Sequence, residues 1–295
     1  MAVPWQAIAE AISTATQQPF TAREKRSVGG GCINSAYRVS DEERTFFVKI
    51  NRVDQLPMFE AERDGLNALA KTNAVRVPQP VCTGSVAEGA FLVMENITLG
   101  RTSADTARRL GHSLARMHRA HWDRFGWKRD NTIGSTPQPN RPDSDWVEFW
   151  RQNRLGFQLE LAVRNGASRQ VIDLGTRLQE ELNAFFTSYR PQPSLLHGDL
   201  WGGNWATDDK GDPAIFDPAV YYGDRETDLA MTELFGGFSP DFYAAYRESW
   251  PLDAGYRQRR ELYNLYHILN HFNLFGGGYL SQAKGMLERL LAAIR

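Results

Sequence analysis

The sequence predicts an α+β fold in two lobes, a small antiparallel sheet with helices followed by a larger, mostly helical part. Residues 25–50 alternate apolar with polar or β-rich positions between glycines and a charged turn, the pattern of a strand meander. From Thr102 onward, apolar residues recur at helical spacing instead. A chain of 295 residues is also long for one core, because cores stop growing near that size. Two cores imply a cleft between them.

Taken in order, the N-terminal segment, residues 1–16, reads as a short amphipathic helix with Ile8 and Ile12 at helical spacing. Strands are expected at Lys25–Gly31, Ser35–Val39 and Thr45–Ile50, the last two joined by the turn at Asp41–Arg44. In the helical stretch that follows, Phe59, Glu62, Leu66 and Leu69 share one face, which sets Glu62 on an apolar stripe. Val77–Pro80 stops that helix, and Phe91–Glu95 reads as a buried strand closing the first lobe. A linker at Asn96–Gly100 follows, so the lobes are expected at 1–96 and 97–295. Helices are then expected at Ser103–His118, Trp146–Val163, Ile172–Tyr189, Thr227–Phe235, Phe242–Trp250, Arg259–Phe275 and Ser281–Ile294. The run from Asp130 to Asp145 is rich in proline, asparagine and serine and reads as a surface excursion.

The 34 basic and 35 acidic residues leave a formal charge of -1, so no global field draws this chain to nucleic acid or to an anionic membrane. The only cysteines are Cys32 and Cys82, which excludes a disulfide framework and a cysteine-rich zinc site and points to a reducing compartment, the cytoplasm. The first residues include Glu10 and lack a basic region, and no stretch reaches the roughly 18 apolar residues of a membrane helix. The chain therefore reads as soluble and unprocessed, with no membrane partner. Nothing in it sets an oligomeric state.

The densest polar zone with glycine neighbours runs from Pro191 to Arg225. Within it, His197-Gly198-Asp199-Leu200-Trp201-Gly202-Gly203-Asn204 matches the kinase catalytic-loop pattern H-x-D-L-x-x-x-N. Phosphoryl transfer requires one carboxylate to orient and deprotonate the attacking hydroxyl, and oxygen ligands for a metal that neutralises phosphate charge. Asp199 suits the first task and Asn204 part of the second. Asp217, at the end of the apolar run Ala214–Phe216, is placed to share that metal, although Pro218-Ala219 stands where a kinase has Phe-Gly. Lys49 lies in the strand Phe46–Ile50 on the face opposite Val48, and Glu62 on its apolar stripe requires a cation. The two are expected to pair. Gly29, Gly30, Gly31, Cys32, Ile33 and Asn34 form a glycine turn whose amides can approach phosphates, or an ordinary hairpin.

At this point the residues resemble the fructosamine kinases (ketosamine 3-kinases), a branch of the aminoglycoside phosphotransferase-like, protein-kinase-like fold. The likeness spans nearly the whole chain and is most specific at 29–34, 58–62, 92–95, 197–204, 215–231, 235–238 and 263–279. It implies phosphorylation by ATP of the O3 hydroxyl of a ketosamine, small or protein-bound, which then decomposes and frees the amine: a deglycation repair step. It further implies Asp199 as base, Asn204 and Asp217 as Mg2+ ligands, Lys49 with Glu62 as the phosphate-gripping pair, and Met94, Glu95 and Asn96 as adenine-binding hinge backbone. Trp201 would wall the substrate site, where an indole attracts the protonated amine of a ketosamine, and the helix carrying His271 would line the pocket.

Other readings remain open at this stage. A small-molecule kinase of the same branch could act on an aminoglycoside, choline or homoserine, and a non-catalytic module would bind nucleotide without releasing ADP. Asp224 and Glu226 either face substrate or brace the helix that follows, since acids favour helix N-termini. Asp228 is expected to brace the catalytic loop, as is His197. His267 and His271 sit at i, i+4 but lack the third ligand of a metal site. Cys32, in a phosphate-binding turn, is either a redox-sensitive thiol or an inert small residue.

Overall fold

The structure is a computed structural model that describes residues 3–29 and 33–294. Its first lobe is a five-stranded antiparallel sheet of β1 (Glu24–Val28), β2 (Ser35–Ser40), β3 (Thr45–Asn51), β4 (Pro80–Val86) and β5 (Gly89–Glu95), in the spatial order β1-β2-β3-β5-β4. Helix α1 (Trp5–Thr16) lays Ile8 and Ile12 on one face, against Val39, Val48, Ile50, Phe91 and Val93. The opposite face carries Leu92 and Met94 into a second core with Phe59, Leu66 and Leu69 of α2 (Leu56–Lys71). Because β5 is covered on both sides, its sequence is continuously apolar rather than alternating. The same pleat sends Val48 and Ile50 of β3 toward α1 and Lys49 toward α2.

Strand β4 was not expected. Its sequence, PVCTGSV, contains a proline and a glycine that demote it as a strand, and it occupies the sheet edge where such residues are tolerated. Cys82 on it is a free thiol whose burial pushes it up to about 11, away from reactivity.

The second lobe contains α3 (Ala104–Met117), α4 (Trp146–Trp150), α5 (Phe157–Arg164), α6 (Arg169–Glu180), α7 (Glu226–Leu234), α8 (Pro240–Ser249), α9 (Tyr256–Phe275) and α10 (Tyr279–Ala293). Helices α4 and α5 are joined by a π turn, Arg151–Gly156, so the helix expected at 146–163 is one interrupted rod. The helix expected to run to Tyr189 ends at Glu180 and is followed by a 3-10 turn at Leu182–Phe186. Side-chain caps start two helices: Ser103 accepts from Thr106 N at 3.1 Å, and Asp145 from Glu148 N at 2.8 Å.

The polar run from 130 to 145 is no surface excursion. It folds into a hairpin, β6 (Asn131–Ile133) and β7 (Thr136–Gln138), with Gln138 and Asn140 buried. Gln138 Nε2 donates to the Ala219 carbonyl at 3.1 Å, Asn131 Nδ2 to the Val220 carbonyl at 2.8 Å, and the buried Arg154 guanidinium to Asn140 Oδ1 at 2.7 Å. The polar side chains hold a long-range network together, as buried polar groups must.

Two short ribbons frame the cleft: β8 (Ser194–Leu196) pairs with β11 (Tyr221–Gly223), and β9 (Trp205–Thr207) with β10 (Pro213–Ile215). The lobes are tied at Arg76. Its carbonyl accepts from Ile215 N at 3.0 Å, and its guanidinium reaches both Glu95, at 2.5 Å, and the buried Asp208. Among the described residues, no helix is long and apolar enough to cross a membrane.

Helices α3 and α8 pack together at Gly111. A Cβ there would overlap the Phe242 carbonyl oxygen and approach Tyr246 N and the Ala245 Cβ to 3.0 Å. On an open helix surface, Gly→Ala would gain about 1 kcal/mol. Here the obstacle is backbone, so Gly111→Ala is expected to destabilise the fold by about 1–3 kcal/mol in denaturant unfolding. An unchanged or raised midpoint would show that α3 and α8 separate freely.

Candidate active site

The loop from His197 to Asn204 leaves β8 at the bottom of the cleft, and its shape is set by one carboxylate. Asp228, in the first turn of α7, accepts from His197 N at 2.7 Å and from Gly198 N at 2.8 Å. His118 Nε2 meets the same carboxylate at 3.1 Å, and its Nδ1 meets Tyr246 Oη at 2.8 Å. Burial disfavours the Asp228 charge, but His118, His197 and the Gly198 amide outweigh it and hold the carboxyl below the usual range. The brace expected of Asp228 is present. Gly198 is required where it stands: its φ is +83°, and a Cβ would collide with the Ala219 carbonyl. The catalytic loop and the segment after β10 cross at that point, with Ala219 N donating to the His197 carbonyl at 2.8 Å.

His197 is buried, and burial lowers its pKa. Nε2 donates to the Phe216 carbonyl at 2.9 Å, and Nδ1 accepts from Asp199 N at 3.2 Å. Both nitrogens are occupied, so His197 links the loop to the segment carrying Asp217. Asn204 Nδ2 donates to the Asp199 carbonyl at 2.8 Å and approaches its Oδ2 at 3.4 Å, while the Asn204 carbonyl accepts from Phe216 N at 3.1 Å. Asp199, Asn204 and Asp217 are thus brought together at the base of the cleft. Burial, then the neighbouring Asp217 and Asp228 carboxylates, push Asp199 up to about 7, against the opposing hydrogen bond from Asn204.

From the other lobe, Lys49 Nζ reaches Glu62 Oε1 at 2.5 Å and Asp217 Oδ1 at 2.7 Å. Burial works against the Lys49 charge, but Asp217 and Glu62 together hold its pKa above the ordinary lysine value. Asp217 adopts φ +58°, uncommon for a residue with a side chain, and its carboxylate is about half exposed at 48%. At the turn between β1 and β2, Asn51 Nδ2 donates to Asn34 Oδ1 at 2.7 Å and to the Ile33 carbonyl at 3.2 Å. Gly29 lies at the start of this turn; Gly30, Gly31 and Cys32 lie outside the described residues, and the redox expectation for Cys32 with them.

The fructosamine kinase family model matches residues 4–293. The chain belongs to the fructosamine kinase family. A Synechocystis protein named "probable ketoamine kinase" is 50% identical over 289 residues, covering 98% of this chain and 97% of its own. A Haemophilus somnus 129PT crystal structure bearing the fructosamine-3-kinase name is 30% identical, with a TM-score of 0.90 and 97% of each chain covered. An aminoglycoside phosphotransferase in ternary complex with ADP and hygromycin B is 14% identical, covers 99% of each chain and has a TM-score of 0.67, a likeness of fold alone. The fold is accordingly the two-lobed, protein-kinase-like one.

In this fructosamine kinase family member the three expected hinge residues differ in what they offer. Met94 is buried in the core, the Glu95 amide donates to the Gln79 carbonyl at 2.8 Å, and Asn96 Oδ1 accepts from Arg38 Nε at 3.0 Å. Trp201 is 40% exposed and lies over Gly203, where a Cβ would strike the indole. His271 Nδ1 donates to the His267 carbonyl at 2.8 Å, and its ring packs on Phe235 at 4.9 Å.

Asp224 and Glu226 face inward rather than toward a substrate. Asp224 accepts from Tyr263 Oη at 2.5 Å, Tyr189 Oη at 2.9 Å and Glu226 N at 3.0 Å, and Glu226 pairs with Arg259 at 2.7 Å. Both are braces. The sequence carries no local signal for Arg76 or Arg154: the Arg76 guanidinium meets Glu95 and Asp208, and that of Arg154 the Pro139 carbonyl and Asn140 Oδ1. His118, with both ring nitrogens occupied by Asp228 and Tyr246, is a structural histidine.

Asp228→Asn removes the charge while keeping the shape. It is expected to lower stability at pH 7 by about 2–3 kcal/mol, the scale of charge-assisted hydrogen bonds left unpaired. A carboxyl whose folded pKa is depressed stabilises above its unfolded value, about 3.9, and loses that contribution as pH falls through the folded value. The gap between variant and wild type in urea unfolding should therefore narrow below about pH 4. A gap independent of pH would show that the charge does not matter.

Proposed function

We propose that this protein is an ATP-dependent kinase that phosphorylates the O3 hydroxyl of ketosamines, the sugar adducts of amines, and thereby starts their removal. The supporting observation is the meeting of Asp199, Asn204 and Asp217 beneath a Lys49–Glu62 pair supplied by the other lobe. The names of the relatives, ketoamine kinase and fructosamine-3-kinase, point to the acceptor and to its third position. The lobe boundary is taken at residue 96, with 1–96 holding the nucleotide and 97–295 the acceptor. A reducing cytoplasm suits a chain with two cysteines.

Asp199 is the base. It orients the acceptor hydroxyl and takes its proton as the oxygen bonds to the γ-phosphorus and the bond from phosphorus to the ADP oxygen breaks. A carboxyl raised to about 7 by burial and like charge is matched to proton transfer near neutrality. Lys49, fixed by Glu62, holds phosphate oxygens, and the backbone of Gly29 to Asn34 covers them. Backbone at Met94 to Asn96 receives adenine, the Glu95 amide excepted because Gln79 already uses it.

The residues also fit Mg2+. Asn204 gives its Nδ2 to Asp199, which leaves an amide oxygen; Asp217 is half exposed; and the mutual repulsion of Asp199 and Asp217 marks a surplus of negative charge. Asn204 and Asp217 would hold the ion, with oxygen donors of the kind a hard cation prefers. When bound, it neutralises phosphate charge during transfer. Trp201 walls the acceptor side, its indole face suited to the protonated amine, and His271 lies beyond it.

Asp199→Asn is expected to lower kcat by roughly 10²–10⁴ with little change in ATP affinity, the usual loss for a positioned acid–base group. Near wild-type turnover would end its role as base. Asp217→Asn should raise the Mg2+ concentration needed for half-maximal ADP release, and an unshifted Mg2+ titration would remove it from the metal site. With wild-type protein, ADP release should follow a fructosamine or ribulosamine and not an aminoglycoside at matched concentration.

A further inference from the structure

Four rings cluster where the end of α9 meets the loop after α7. His271 packs against Phe235 at 4.9 Å, Tyr279 at 5.1 Å and Phe275 at 5.7 Å. Phe235 and Phe275 remain 43% and 58% exposed, and Trp201 is 40% exposed. Isolated exposed apolar residues need no explanation, but a contiguous aromatic rim at the edge of a site does.

Its position follows from two contacts. On one side, Gly236 and Gly237 lie against Gly202 of the catalytic loop, where a Cβ would come within 2.9 Å of the Gly236 carbonyl oxygen, and Trp205 Nε1 donates to the Gly237 carbonyl at 3.2 Å. On the other, a Cβ at Gly134, the tip of the β6–β7 hairpin, would meet both Ile33 of the phosphate-side turn at 3.1 Å and Leu274 at 3.2 Å. The end of α9 therefore touches the loop after α7, which lies on the catalytic loop, and the hairpin tip that meets the turn of the other lobe.

We infer that Phe235 and Phe275 determine specificity for the amine side of the acceptor: they receive an unbranched hydrocarbon arm, of lysine side-chain length, carried by the amine. This rests on the ketosamine reading above. With the sugar held at Asp199, the secondary ammonium and whatever it carries must leave the pocket past these rings. Ring faces attract the ammonium, and apolar edges take the methylenes out of water. A bare sugar cannot cover rings this exposed, whereas an arm of several methylenes reaches them.

The test compares two ketosamines of the same sugar, one on methylamine and one on n-hexylamine, with wild type, Phe235→Ala, Phe275→Ala and the double variant. Each ring is expected to contribute about 2- to 5-fold, so the double variant should lose about 4- to 25-fold in kcat/KM for the hexylamine adduct. The loss should come through KM with kcat kept, while the methylamine adduct changes less than about twofold. Equal losses on both adducts would assign the rings to closing the cleft and overturn the inference, as would no loss on either. Wild-type protein that phosphorylates neither adduct, yet releases ADP with another alcohol, would overturn the ketosamine reading and this one with it. Both residues are substantially exposed, so unchanged thermal unfolding is expected to accompany the effect.

Discussion

The ammonium of Lys49 is the point on which the two lobes agree. It is buried, and removing an ammonium from water costs several kcal/mol unless charges and hydrogen bonds replace the lost hydration. Two carboxylates do so, one from α2 and one from the segment after β10. Neither belongs to the strand that carries the lysine. The sheet, its packed helix and the second lobe must therefore all be in register before this charge is tolerable. An error in any one leaves an uncompensated charge, which is far more costly than a missing apolar contact. The interaction proposed to grip phosphate also polices the assembly of the cleft.

The same accounting separates the three aspartates of the site by role. Asp228 is surrounded by donors: two successive amides and His118. Its charge is stabilised, and it serves as an anchor. Asp217 has Lys49 and an open side toward the cleft, so its charge is compensated and still available. Asp199 is held mainly by the amide of Asn204 and faces the repulsion of both neighbours. That shortage of donors is what makes a carboxylate basic enough to take a proton. The proposed base is thus the aspartate of the three whose neighbours supply the fewest donors.

Much of this was legible in the sequence, because it rests on spacing along a loop or periodicity along one element. The octapeptide from His197 to Asn204 pointed to Asp199 as the base proposed above, and the stripe through Phe59, Glu62 and Leu66 turned Glu62 toward Lys49. What escaped depends on partners distant in the chain. The polar run after Asp130 looks like surface because its composition is that of surface, yet Gln138 and Asn140 are buried and Asn131 half-buried, tied to carbonyls at 219–220 and to Arg154. Strand β4 is disguised by a proline and a glycine that an edge position forgives. The Glu95 amide is taken by Gln79, a pairing that no local pattern announces. Asp224 and Glu226 are acids at a helix start in the sequence; only the fold shows that tyrosines and Arg259 enclose them.

Helix α9 joins these two kinds of information. Near its beginning, Arg259 pairs with Glu226 and Tyr263 donates to Asp224, the residues that precede Asp228 on α7. Its last turn presents His271, Leu274 and Phe275 to the mouth of the cleft. The helix spans 20 residues, about 30 Å at 1.5 Å per residue, so the two ends are mechanically linked but chemically distant. Substitutions near residue 275 leave the anchoring of the catalytic loop intact, because every brace lies several turns away. Substitutions near residue 259 strand a buried glutamate and disturb the loop itself. The contacts proposed for the amine side of the acceptor thus lie at one end of a rod whose other end is held by the braces of the catalytic loop.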